Sequence, residues 1–353
     1  MQSFVTVQPG ETTGCVGCHE QRTEAPPQVQ FASLSAARRI PSTIEPIADV
    51  PDVFDYPRDI QPILDRHCLA CHDYEATERG GPRAGKVILS GDRGPYYAHG
   101  YSNLLAHGEV IDARAGGGNR EPWSTFSGAS PLLDKLDGRH YDVRLSPREQ
   151  TTLRLWIDAS ATYAGTYGAL GNAMLAVVKN QRYAPVSEVI ARRCTACHEE
   201  SLQSLHIPEQ AQLVKSHRLP ELPEHRLLHR EIVYNLTRPE KSMVLLAPLA
   251  KDSGGYGLCG EPAVFNDRSD PDYLCLLETI QVAKADLNKM QRFDRPRFRP
   301  QPAYIREMKA YGVLPADQPA NASIDVYETD RAYWETFWWR GKPLTKVKAH
   351  QSR

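Results

Sequence analysis

Asp59-Ile60-Gln61-Pro62-Ile63-Leu64-Asp65-Arg66-His67-Cys68-Leu69-Ala70-Cys71-His72 decides how this chain is read. Ile60, Ile63 and Leu64 share one face of a helix. Pro62 falls in the first turn, where a missing N–H costs little. The helix delivers a C-x-x-C-H motif, whose thiols at i and i+3 reach the two vinyl groups of one haem while the next histidine offers an imidazole to the iron. The same arrangement recurs: Val186, Val189 and Ile190 precede Cys194 by 8, 5 and 4 residues, as Ile60, Ile63 and Leu64 precede Cys68. Cys194, Cys197 and His198 form the second copy of the motif, so the spacing predicts an internal repeat of helix and attachment site.

A further C-x-x-C-H stands at Cys15, Cys18 and His19, after Pro9-Gly10-Glu11-Thr12-Thr13-Gly14, which reads as a loop. With eight cysteines and twelve histidines in 353 residues, chance supplies roughly 0.006 such motifs per chain. Three therefore point to three covalent haems c. The competing reading is zinc held by C-x-x-C pairs. Zinc ribbons space their pairs by about 15–20 residues; here the gaps are much longer and histidine follows every pair.

Leu145-Ser146-Pro147-Arg148-Glu149 predicts another helix start, with Ser146 as N-cap, Pro147 at the first position and Glu149 closing a capping box. Leu153, Trp156 and Ile157 continue it, and Trp156 is expected to pack at the haem side. Strand patterning is weak, and the 27 Pro and 24 Gly imply long connections. The fold class expected is mainly α: cytochrome c-like haem modules with long irregular loops. Residues 1–50 form an N-terminal haem-binding segment, 51–175 a cytochrome c-like module, and 176–353 a second module with a C-terminal extension.

Hydrophobic residues make up 41% and charged residues 24%, with a formal net charge of -1. No overall field favours nucleic acid, and no apolar run is long enough to span a bilayer. Arg292 to Arg299, broken by Pro296, reads as a solvated linker. Met1-Gln2-Ser3-Phe4 opens no signal peptide, yet haem is attached to C-x-x-C-H outside the bacterial cytoplasm. The expectation is the C-terminal part of a longer exported protein in the periplasm or an equivalent compartment.

Second axial ligands separate electron transfer from catalysis. No methionine lies between His72 and Trp156, so the candidates for the haem at Cys68/Cys71/His72 are His99, His107 and His140, in Gly- and Tyr-rich loops. Tyr74 is a candidate to approach iron or substrate, and the loop from Gly91 to Tyr97 has groups suited to a polar pocket. His67 points off its own motif and is a candidate for a neighbouring haem, the first one included. For the haem at Cys194/Cys197/His198 the candidates are His225 and His229, four apart on one helical face, with His206, His217 and Met243 behind them. Cys259 and Cys275, in loop-like sequence, are expected to form a disulfide.

Val7-Gln8-Pro9-Gly10-Glu11 through Cys15-Val16-Gly17-Cys18-His19-Glu20 resembles the middle region of the hydrazine synthase alpha-subunit family. Tyr56-Pro57-Arg58-Asp59-Ile60-Gln61-Pro62-Ile63-Leu64-Asp65-Arg66-His67-Cys68 is similar to it as well. The segment Ala247-Pro248-Leu249-Ala250-Lys251 with Gly254-Gly255-Tyr256-Gly257 resembles related proteins of planctomycetes. The resemblance implies an upstream β-propeller or other subunits, a redox partner protein, and nitrogen-compound redox chemistry. It also implies a haem liganded by a tyrosine just behind its motif, with zinc at the motif histidine. Tyr74 is the only tyrosine close behind any motif, and nothing in the sequence places the zinc. Three motifs exceed the two of that subunit. Three functions stay open: the haem-bearing part of such a redox enzyme, a pure electron carrier, and a module in which haem serves folding alone.

Overall fold

The computed structural model describes residues 45, 47–112, 121, 123–170, 183–198, 231–289, 293–294 and 298–336. Secondary structure among them is helical, and extended pairing is confined to isolated bridges such as Arg93 with Ala98. No helix among them is long and apolar enough to cross a membrane. The first attachment motif, and His206, His217, His225 and His229, lie outside the described residues.

The helix quoted above begins as a π-turn, Tyr56–Ile60, capped by the Asp55 carboxylate, and continues as α1, Gln61–His67. Ile60, Ile63 and Leu64 are buried. Each such burial contributes about 1.5–3 kcal/mol. His99–Ala106 forms α2, in which Gly100 lets the backbone close on Tyr56 and Leu89; a Cβ there would lie 2.6 Å from the Tyr56 hydroxyl. Helix α3, Pro147–Asp158, starts with the expected capping box of Ser146 and Glu149. Its Trp156 is fully buried among Tyr56 and Tyr101, with Nε1 donating to the Thr162 carbonyl at 2.9 Å. These elements enclose one apolar core reaching from Tyr56 to Tyr163.

A second core runs from Tyr183 to Leu287. Its lead-in helix α4, Ala184–Arg193, buries Val186, Val189 and Ile190, the three positions the repeat predicts. It is followed by a single turn, α5, Thr195–His198. The helix that closes this core is α7, Pro271–Lys289, whose buried Tyr273, Leu276, Ile280, Ala283 and Leu287 alternate steps of three and four. Between them sits α6, Met243–Leu246.

The repeat extends beyond the lead-in helices. In the first unit the C-terminus of α1 is tied to the start of α3, because Arg66 and His67 both meet Glu149. In the second the C-terminus of α4 is tied to the start of α7: Arg192 pairs with Asp272 at 2.5 Å and Arg193 with Asp270 at 3.0 Å. Both closing helices open on a capping side chain followed by proline, Ser146-Pro147 and Asp270-Pro271, and Asp270 accepts from the Asp272 backbone N–H at 2.8 Å. Cations at a helix C-terminus and an acid in the next helix's first turn complement both dipoles.

The last helices, α8 (Pro302–Ala310) and α9 (Val326–Glu335), lie in the C-terminal extension assigned to the second unit, yet they pack on the first. Asp330 of α9 accepts from the Gly168 N–H and the Tyr304 hydroxyl, Tyr327 bonds Asp55, and Arg331 meets Asp52 at 2.9 Å.

Candidate haem sites

Each described motif is a tight turn on the end of its lead-in helix. Cys68 N–H donates to the Leu64 carbonyl at 2.8 Å, and the N–H groups of Cys71 and His72 return to the Cys68 carbonyl, both at 3.1 Å. Cys194 donates to Ile190 at 2.9 Å, and Cys197 and His198 return to Cys194 at 3.3 and 3.0 Å. One backbone pattern thus serves both, presenting two thiols and an imidazole from a single turn. All four thiols are free. Among the described residues no three His, Cys, Asp or Glu side chains converge as metal ligands, so neither C-x-x-C pair meets a second pair there.

The sites differ in surroundings. Burial pushes the Cys68 thiol up to about 12, with Cys71 and Asp65 adding to the shift. Cys197 is exposed. His72 is half-buried, and its Nδ1 is a buried nitrogen without a hydrogen bond. Burial holds the His72 imidazole below its usual range, while the Val87 and Ala84 carbonyls pull the other way. Facing it is His140, ring centre to ring centre 6.0 Å, planes 18° apart. Ordinary offset ring pairs span about 4.5–7 Å. The two rings form a stacked pair within that range. His140 sits in a turn whose next two residues, Tyr141 and Asp142, have φ of 49° and 60°. Left-handed conformations at two consecutive non-glycine residues carry backbone strain. The donor set, the shared turn and the unpartnered His72 Nδ1 fit a haem at Cys68/Cys71/His72.

The other candidates are engaged elsewhere. Tyr74 is buried with its hydroxyl 2.7 Å from His99 Nδ1, and His99 Nε2 lies 3.3 Å from the Tyr234 carbonyl. The carbonyl can only accept, so Nε2 carries the proton and Tyr74 donates to Nδ1. Both ring nitrogens of His99 are therefore used within the protein. Burial lowers the His99 pKa to about 4 and raises that of Tyr74 well above its usual value. His107 caps α2 at the surface, near Glu109 and Arg83. Met243 packs against Tyr74, Ile88 and Leu246, where the two units meet. His67 is bonded to Glu149 at 3.1 Å.

The loop from Gly91 to Tyr97, expected to line a polar pocket, is instead filled by the second unit. Asp92 accepts from Asn235 at 2.5 Å and from Arg238 at 2.7 Å, and Arg238 also grips Asp73 at 2.7 Å. Arg93 N–H donates to Thr237 at 2.9 Å, and its guanidinium pairs with Asp294. Glu231 accepts from the N–H groups of Tyr96 and Tyr97 at 3.0 and 3.1 Å. Polar groups this deep need partners, and residues 231–238 supply them. This seam was missed from sequence because its members lie some 140 positions apart.

Cys275, expected in a loop, lies inside α7 beside Asp272, Glu278 and Arg192, whereas Cys259 has Cys194 and Cys197 as its neighbouring thiols. The pairing expected from sequence is not formed: both thiols are free, and each faces different groups. The signal for α7 was present in its apolar spacing and in Asp270-Pro271, which repeats the Ser146-Pro147 opening. Comparison with protein-family models, with curated proteins and with solved structures gives no match.

Proposed function

We propose that this chain is a tri-haem c-type cytochrome that carries electrons. The thiols of Cys15/Cys18, Cys68/Cys71 and Cys194/Cys197 hold the porphyrins, and His19, His72 and His198 face the irons. Bound in this way, haem supplies reversible one-electron chemistry. The observation that carries the reading is the repeated helix-and-turn around the second and third motifs, with His140 stacked beside His72 at 6.0 Å. His140, the imidazole beside His72, would supply the second ligand at that iron, and two protein ligands would favour transfer over substrate binding.

The catalytic alternative required Tyr74 or a loosely held histidine at that iron. Tyr74 and His99 satisfy each other in a buried pair, which weighs against it. The family resemblance remains the basis for proposing an exported assembly of the hydrazine synthase alpha-related kind. This chain would be its haem-bearing part, working with a redox partner and an upstream propeller or other subunits outside the cytoplasm. The cytochrome c-like description of each unit rests on its lead-in and closing helices, the end of the one tied by ion pairs to the start of the other.

The test is stoichiometric and spectroscopic. Protein made with cytochrome c maturation machinery should give three haems per chain by pyridine haemochrome assay. Its reduced form should leave the second haem closed to carbon monoxide, and His140→Ala should open it. Two haems or fewer in fully matured protein would refute the central reading. Carbon monoxide binding at the second haem of the unaltered protein would return the catalytic one.

A further inference from the structure

The turn that ends α4 has a third thiol beside its C-x-x-C pair. Cys194 and Cys197 share Cys259 as a neighbour, and all three thiols are free. The loop that carries Cys259 is held on both sides. Upstream, the N–H groups of Tyr256, Gly257 and Leu258 donate to the carbonyls of Leu246, Leu249 and Ala247 at 2.7, 2.9 and 2.7 Å. Downstream, the Arg193 guanidinium donates to the Val264 carbonyl at 2.5 Å and lies 5.2 Å from the centre of the Phe265 ring. Arg193 directly precedes Cys194, and Cys194 and Val264 pack against the same core as Phe265. Backbone and guanidinium contacts thus set this loop on the motif turn without any help from the thiols.

The three thiols differ in access: Cys197 is exposed, whereas Cys194 and Cys259 are half-buried. They do not converge as a metal site, so their nearness points to sulfur–sulfur chemistry. Gly260, next to Cys259, has a φ of 106° and open space where a Cβ would stand. That leaves room for Cys259 to close on a motif thiol. Between Cys71 and Cys194 the sequence has no cysteine, so residues 72–193 give the first unit no such thiol. Thiols respond to oxidant according to exposure and thiolate character, which makes Cys197 the point of entry.

We propose that Cys259 is the redox partner of this attachment pair: in the haem-free chain it forms a disulfide with one of the two motif thiols and so gates haem attachment there. With glutathione disulfide as oxidant, the Cys197 thiolate attacks one glutathione sulfur, breaks the S–S bond and expels a glutathione thiolate. The Cys259 thiolate then attacks Cys197 Sγ and expels the second. The protein gives up two electrons and two protons, which leave as two glutathione thiols. Attachment needs both motif thiols at the vinyl groups of one haem, so a motif cysteine held in a disulfide blocks it until a dithiol reduces the bond. The gating rests on the tri-haem reading; the disulfide does not. The test exposes the full haem-free chain to glutathione disulfide, alkylates the remaining thiols and maps the bonds by mass spectrometry. Cys259 should be bonded to Cys197 or Cys194, with Cys275 alkylated. In Cys194→Ser the bond should be Cys197 to Cys259, and adding Cys259→Ser should leave Cys197 carrying glutathione. In the chain matured with haem at this motif, Cys259 should label as a free thiol. Cys259 left free in the oxidised haem-free chain, or bonded to any other cysteine, would overturn the proposal. So would the same pattern of bonds in concentrated urea. A chain matured under a dithiol reductant that takes no haem at Cys194/Cys197 would instead count against the tri-haem reading, with the disulfide map unaffected.

Discussion

The two described C-x-x-C-H turns share their backbone and differ in what surrounds it. Around Cys68 both thiols of the pair are half-buried and the motif histidine stacks on a second imidazole. Around Cys194 the second thiol of the pair, Cys197, is exposed, and a further thiol, Cys259, is a neighbour. The lead-in helices, the turn hydrogen bonds and the Arg-to-acid tie to a proline-initiated closing helix are common to both. Local sequence is thus enough to build an attachment turn. The surroundings of that turn come from connections folded over it, and these share no pattern between the units.

The largest expected effect comes from removing attachment itself. Cys68→Ser with Cys71→Ser should reduce the haem count from three to two, as should Cys194→Ser with Cys197→Ser. The first pair should lower thermal stability more, because its thiols sit deeper. Equal losses of stability would erase the contrast between the sites. Pyridine haemochrome assay and thermal melts read both quantities.

Next in size is the seam. Arg238→Met removes the cation from Asp73 and Asp92, whose side chains are 15% and 10% exposed. Stranding buried acids costs on the order of 3 kcal/mol, readable as a shifted urea midpoint with three haems retained. A shift below a few tenths would mean that the two units hold together without this network.

The Tyr74–His99 pair, which also reaches the Tyr234 carbonyl of the second unit, gives a pH signature. The imidazole titrates at about 4 in the folded chain and near 6.5 once unfolded. As pH falls, the unfolded chain takes up this proton first. The contribution to stability is therefore complete above about pH 6.5 and disappears toward pH 4. Urea midpoints measured across that window should decline, and less steeply in His99→Gln. A parallel decline in both proteins would assign the slope to other groups. Tyr74→Phe should cost about 1–3 kcal/mol by leaving a buried acceptor unpaired.

The smallest effects test the likeness. Ser146→Ala and Asp270→Ala each remove the cap of a closing helix and should each cost about 1 kcal/mol. A cost at only one of them would mean that the two helix starts are alike in sequence but not in energetics.

The sequence by itself determined the attachment motifs, the lead-in helices with their buried faces, and the capped start at Ser146. Each depends on residues within about ten positions, where spacing alone puts side chains on a face or a cap on a helix. Tertiary structure alone decided which histidine faces His72. His99, His107 and His140 are all loop or helix-end residues in sequence, but only folding buries one against Tyr74, leaves one at the surface, and brings the third to 6.0 Å. It also decided that the Gly91–Tyr97 loop receives the second unit and that α9 returns to the first. Such pairings join residues more than 100 positions apart. They are selected by the need of buried polar groups for partners, a need that names no partner until the chain has folded.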